Sequence, residues 1–182
     1  TGAFDKFTDI IFFDSINEKK ENYTKAYGRY QNNRVYRYIQ SDYINKPLGH
    51  ESWRVILPKA YGTGIANNNT SVILIGEPFV IEPLSAFTET YISIGQFSSQ
   101  EEALNCLKYI KSKFARVLLA VLKVTQDNTR DKWAKVPLQD FTVNSDIDWT
   151  QSVADIDRQL YQKYDLSPEE IAFIETHVRE MD

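Results

Sequence analysis

The segment SSQEEALNCLKYIKSKFARVLLAVLKV, Ser98 to Val124, limits the fold more than any other part of the chain. Leu104, Leu107, Ile110, Phe114, Val117/Leu118 and Val121 recur at three- and four-residue spacing and so share one face of a helix. Ser99 followed by Glu102 is a capping box that fixes where the helix begins. The spacing predicts one long helix, or two short ones broken near Ser112. Its apolar face must be covered, because burying each Leu or Phe is worth roughly 1.5–3 kcal/mol. Cys106 falls within this stretch and is expected to pack there.

The partners for that face are apolar runs bounded by Gly, Pro or polar clusters. Thr8–Ile16, Arg34–Ile39, Trp53–Leu57, Ser71–Ile75 and Thr90–Ile94 read as strands, and Gly76-Glu77-Pro78 as a turn. Thr125–Phe141 reads as an irregular polar loop. Two shorter helices follow. Ser152 and Asp155 cap the first, with Ile156, Leu160 and Tyr164 on one face. Ser167-Pro168-Glu169-Glu170 opens the second, with Ile171, Ile174, Val178 and Met181 as its stripe. The expected fold is α+β: a mixed or antiparallel sheet body, a long helix or helix pair packed on it, and a C-terminal helical hairpin. The division is a body over 1–142 and an acidic helical tail over 143–182.

The 182 residues suit one domain, or one with an appendage. No apolar run approaches the ~20 residues that span a bilayer, so no membrane partner is expected. A single cysteine allows no internal disulfide and favours a reducing, cytoplasmic setting. Two histidines with one cysteine make a poor zinc set, and no metal site is expected. The opening on Thr1-Gly2 rather than Met suits either an engineered start or a piece of a longer protein. The net charge of -4 divides unevenly: residues 1–135 hold 18 Lys+Arg against 14 Asp+Glu, and residues 136–182 hold 3 against 11. A basic body thus carries an acidic tail.

The stretch WRVILPKAYGTGIANNNT, Trp53 to Thr70, raises the question of a phosphate-binding loop. It fails as one, because Gly64 is followed by Ile65-Ala66-Asn67, with neither the Lys nor the helix that a P-loop needs. Only Gly62 and Gly64 match a dinucleotide fingerprint. There is no Gly-x-Ser-x-Gly elbow, no His-Glu-x-x-His and no paired Cys, so no catalytic residue is assigned. Asp14, Glu18 and Lys20 faintly resemble the acid-and-lysine cluster of a metal-dependent nuclease, which is kept as a rival reading.

What the chain offers instead is a basic, aromatic belt. Lys19 to Lys59 holds nine cations and three acids, with Tyr23, Tyr27, Tyr30, Tyr36, Tyr38, Tyr43 and Trp53 interleaved. Cations neutralise phosphates, while rings and amides reach sugars and base edges. The candidate DNA-binding residues are Arg34, Tyr36, Arg37, Lys46, Arg54, Lys59, Tyr61 and Thr63. A second cluster adds Lys123, Gln126, Asn128, Arg130, Lys132 and Trp133. Backbone contacts fall to Arg34, Arg37, Lys59 and Lys132, and base edges to Tyr61, Thr63, Gln126 and Asn128.

Four stretches carry a family resemblance: WRVILPKAYGTG, IGEPFVIEPLSAFTETYISIGQF, NCLKYIKSKFARVLLAVLKVTQDNTRDKWAKVPLQDF and SDIDWTQSVADIDRQLYQKYDLSPEEIAFIETHV. Over Trp53–Asp182 the chain resembles the C-terminal target-recognition domain, of the TaqI-like specificity type, of bacterial restriction–modification N6-adenine DNA methyltransferases, some fused to an endonuclease. Thr1–Ser52 matches only loosely. The family's Asn/Asp-Pro-Pro-aromatic motif and Gly-rich S-adenosylmethionine loop are both missing. The resemblance implies a reader of double-stranded DNA without a cofactor of its own. S-adenosylmethionine would serve a catalytic domain in cis or in trans, and the acidic tail, repelled by DNA, would dock on that domain or on the body. A protein-interaction module using the C-terminal helices is the third reading.

Overall fold

In a computed structural model, residues 3–7, 10–14, 22–31, 33–46, 48–60, 73–121 and 129–181 are described. The chain opens with a short helix α1 (Ala3–Phe7), followed by strands β1 (Tyr23–Tyr30) and β2 (Asn33–Gln40), a single 3-10 turn (Ser41–Tyr43) and β3 (Trp53–Pro58). Then come β4 (Phe79–Ile81), β5 (Ala86–Phe87) and β6 (Tyr91–Phe97). Helices α2 (Gln100–Lys111), α3 (Lys113–Val121), α4 (Arg130–Trp133), α5 (Val153–Lys163) and α6 (Pro168–His177) complete it. The fold is α+β. One sheet has the order β2-β1-β5, with β1–β2 antiparallel and β1–β5 parallel; the other, β4-β3-β6, is antiparallel throughout. No helix among the described residues is long and apolar enough to cross a membrane.

β3 is buried along nearly its whole length because it has a layer on each side. Val55 and Leu57 point into the large core formed with α2, α3, α5 and α6. Ile56 points the other way, joining Ile81, Tyr91, Phe79, Phe87 and Tyr27 between the two sheets. The far side of β1–β2 packs on α1 through Phe4, Phe12, Ala26 and Ile39. Ile156, Leu160, Ile174, Val178 and Met181 of the acidic tail belong to the same core as Ile110 and Phe114. The tail therefore docks on its own body.

The caps and the break fall where expected, but Leu104 and Val121 of the apolar face are exposed, and α6 ends at His177, before Val178 and Met181. Ser99 Oγ accepts the Glu102 N–H, while the Glu102 carboxylate accepts from the Ser98 N–H and hydroxyl rather than from Ser99. The break falls at Ser112, whose N–H still donates to Lys108 O while its own Oγ accepts the Ala115 N–H to start α3. Ser152 and Ser167 cap α5 and α6, the latter as a full capping box with Pro168 at the first position. Burial pushes the Cys106 thiol well above its ordinary range, as expected for an inert core cysteine.

Other expectations need correcting. Of Thr8–Ile16 only 10–14 are described, and there Phe12 and Phe13 sit at isolated bridges, that of Phe13 to Tyr38, rather than in a strand. Ile73–Ile75 pack in or against the core without forming a strand. β1, β4, β5 and the short α4 lie in stretches with no such expectation.

β6 carries one extra residue opposite β3, since Trp53 faces Phe97 and Val55 faces Ile94. Gly95 absorbs it at φ +72, and a Cβ there would sit 2.1 Å from the Phe97 ring. Gly95→Ala is expected to lower stability by about 1–3 kcal/mol, read from the urea midpoint. An unchanged midpoint would mean that the bulge tolerates a side chain.

Candidate functional site

Pairing fixes which side chains of the belt share a surface, because residues directly opposite on antiparallel strands point the same way. Lys25 faces Tyr38, Tyr27 faces Tyr36, and Arg29 faces Arg34. These six, with Tyr23 and Gln40 at the end, form the face of β1–β2 away from α1, the outer face, on which Tyr27 reaches the cluster between the two sheets. The opposite face carries Thr24, Ala26, Gly28, Val35, Arg37 and Ile39 toward α1.

The β1 half of the outer face is held by residues 77–82. Lys25 Nζ donates to Glu82 Oε1 at 2.9 Å, and the Tyr27 hydroxyl donates to Glu82 Oε2 at 2.7 Å. Lys25 also lies 4.9 Å from the Tyr27 ring centre and 4.5 Å from that of Tyr36. Burial alone would lower the Lys25 pKa, but bonding to Tyr27 and Glu82 outweighs it and holds the amine above its usual range. Burial likewise opposes ionisation of Glu82, and the bonds from Lys25, its own backbone and Tyr27 hold its carboxyl below the usual range.

The β2 half is open. Arg34 is exposed, its guanidinium stacked 3.9 Å from the Phe79 ring centre and donating to Glu77 O at 2.8 Å. Tyr36 is 49% exposed, and its ring meets those of Tyr27 and Tyr38 edge-on. Gln40 is exposed.

Arg37 and Arg54, expected on the DNA-facing surface, lie in the interior. Arg37 is 5% exposed on the inner face, ion-paired to Asp14 with its guanidinium over the Tyr30 ring. Arg54 is 1% exposed and donates to Ser85 O at 2.7 Å. Neither can reach a phosphate from there. Lys46, Lys59 and Arg130 are exposed, Lys132 is partly covered, and Trp133 packs against the main core. Tyr61, Thr63, Lys123, Gln126 and Asn128 lie outside the described residues, as do Gly62, Gly64, Glu18 and Lys20. Of the nuclease-like cluster only Asp14 is described, and its carboxylate is engaged by Arg37. Among the described residues no group of three His, Cys, Asp or Glu could hold a metal ion.

A second concentration of charge escaped the sequence reading. A cavity of about 610 Å³ opens between α3, α5 and α6, with Lys113, Arg116, Asp157, Tyr161, Glu175 and Glu180 among its lining. Asp157, 2% exposed, accepts the N–H groups of Lys113 and Phe114 at 3.0 and 2.9 Å and so caps α3 from a different helix. Burial pushes its carboxyl up to about 6, against the pull of those bonds and of Arg116. Arg116 is fully buried; its Nε donates to Lys111 O and Ser112 O, satisfying carbonyls at the end of α2. Its Nη1 and Nη2 have no hydrogen-bond partner among the described residues, and burial lowers its pKa to about 10. Glu175 bonds Lys113 and Tyr161 across the same cavity. All these acids and bases face one another, so the cluster reads as an electrostatic joint between helices. The sequence signal was Arg116 and Asp157, each set in the apolar stripe of its helix.

A scan against protein-family models gives no match for the chain, and no curated protein or solved structure matches it either.

Proposed function

We propose that the chain is a recognition module for double-stranded DNA with no catalysis of its own. It would position a target adenine for an N6-adenine methyltransferase domain supplied in cis or in trans, as the family resemblance implies. Flipping a base requires one body to grip and register the duplex while another works on the extruded base. S-adenosylmethionine would belong to that second body. The single observation that supports this reading best is the outer face of β1–β2, where Lys25, Arg29 and Arg34 stand among four tyrosines and one glutamine, with Glu82 as the nearby carboxylate. Such a face attracts phosphates and presents groups that can reach base edges.

The experiment is a mobility shift with mixed-sequence duplex at about 50 mM salt, where electrostatic binding is strong. It should be run on this chain and on the full-length protein. A retarded complex is expected. If neither retards any duplex, the proposal is wrong.

A protein-interaction module is the second reading, favoured by an apolar groove of about 420 Å³ between α3 and α6. Val117, Leu118, Val121 and Phe173 line it, with Glu169 and Glu170 alongside. Phe173→Lys would then abolish partner binding and leave duplex binding unchanged.

A further inference from the structure

Arg34, Tyr36, Tyr38 and Gln40 occupy every second position of β2 and so line up along the outer face. At about 3.3 Å per residue the row is roughly 20 Å long, enough for its two ends to reach separate base pairs of one groove. Its ends differ in chemistry from its middle. The Arg34 fork is pinned by Glu77 O and the Phe79 ring, so little freedom is lost when it meets a planar acceptor pair. Gln40 offers a donor and an acceptor side by side. Although it precedes the 3-10 turn, its side chain makes no capping bond there. Both end residues are exposed and belong to none of the hydrophobic clusters.

The rings between them argue for a duplex rather than a single strand. A single-strand platform needs flat ring faces on which successive bases stack. Here Tyr36 and Tyr38 stand at 84° to each other, Tyr27 and Tyr36 at 60°, and Tyr38 is half-buried. Their mutual tilts leave no run of parallel ring faces along the strand.

We propose that β2 is the strand that enters the major groove, with Arg34 and Gln40 as base readers at separate base pairs. This rests on the duplex-binding reading above. Arg34 would pair with a guanine edge and Gln40 with an adenine edge, the bidentate matches their geometries allow. Tyr36 and Tyr38 would pack between them against groove walls and thymine methyl groups.

The test is selection of bound sequences from a random duplex pool by the full-length protein, with anisotropy titrations on the winning site. Wild type, Arg34→Ala, Arg34→Lys and Gln40→Ala are compared, and thermal melts check that each variant folds. Each alanine variant should lose preference at one position, different for the two. Affinity for the winning site should fall roughly 5- to 150-fold, with little change for unrelated duplex. Arg34→Lys should lose the same preference, because lysine keeps the charge but not the fork. Variants that weaken all duplexes equally, or that select the wild-type site unchanged, would overturn the inference while leaving duplex binding standing. A preference for single strands over duplex would overturn it too. A wild type that binds no duplex would remove the premise along with the inference.

Discussion

Asp157→Ala is expected to cost about 3–5 kcal/mol of folding stability, the largest loss of any single substitution considered for this chain. Two effects add. The N–H groups of Lys113 and Phe114 lose their acceptor inside the protein, where water cannot replace it. Arg116 loses the carboxylate that most offsets its burial. Urea denaturation reads the loss directly, and a change below about 1 kcal/mol would mean that α3 does not depend on this cap. The pH dependence carries a second signature. Burial raises the folded-state pKa of Asp157 to about 6, above its ordinary 3.8, so the folded protein holds this proton more tightly than the unfolded chain does. Its contribution is therefore fully present below about pH 4 and declines as pH rises through 6, by roughly 3 kcal/mol. Glu82 and Glu175 run the other way: their lowered pKa values give stability that is lost on acidification. The gap between wild type and Asp157→Ala should thus be wider at pH 4 than at pH 7. A gap that narrows on acidification would contradict the raised pKa.

The helices were legible in the sequence because their signals are local. Ser99, Ser112, Ser152 and Ser167 each act within four residues, and the apolar spacing of α2 and α3 needs no knowledge of the partner. β1 was hidden for a physical reason. Its inward positions are Thr24, Ala26 and Gly28, kept small because the Phe4 ring lies where a Gly28 Cβ would stand, 2.7 Å away. A buried face built from small residues gives no hydrophobic alternation. Leu74 and Ile75 show the converse, since they are fully buried outside any strand. Their hydrophobicity reported burial and not conformation. The placing of Arg37 beside Arg34 was an avoidable error of parity. Positions three apart on a strand point to opposite faces, and Arg37 shares its face with Val35 and Ile39. The joint of Asp157 with Arg116 was not legible, because it depends on how two helices distant in sequence cross.

The duplex reading makes a second large prediction, on salt. Of the described cations assigned to DNA, Arg34, Lys46, Lys59 and Arg130 are exposed, and Arg34 is given to a base. Each phosphate neutralised contributes a slope of about -0.9 to log affinity against log salt, so a duplex engaging the other three gives about -2.7. Raising salt from about 50 to 200 mM should then weaken binding roughly 40-fold. Lys59 is the cleanest single test. It is exposed at the end of β3, and its backbone N–H donates to Thr90 O. Lys59→Ala should leave the melting temperature unchanged, reduce the slope by about 0.9 and weaken every duplex by a similar factor, because a phosphate contact carries no sequence information. Titrations of two unrelated duplexes across a salt series measure all three. If the loss falls on one duplex and spares the other, Lys59 reads bases. If the slope is unchanged, Lys59 does not touch the backbone, and the duplex must lie away from the end of β3.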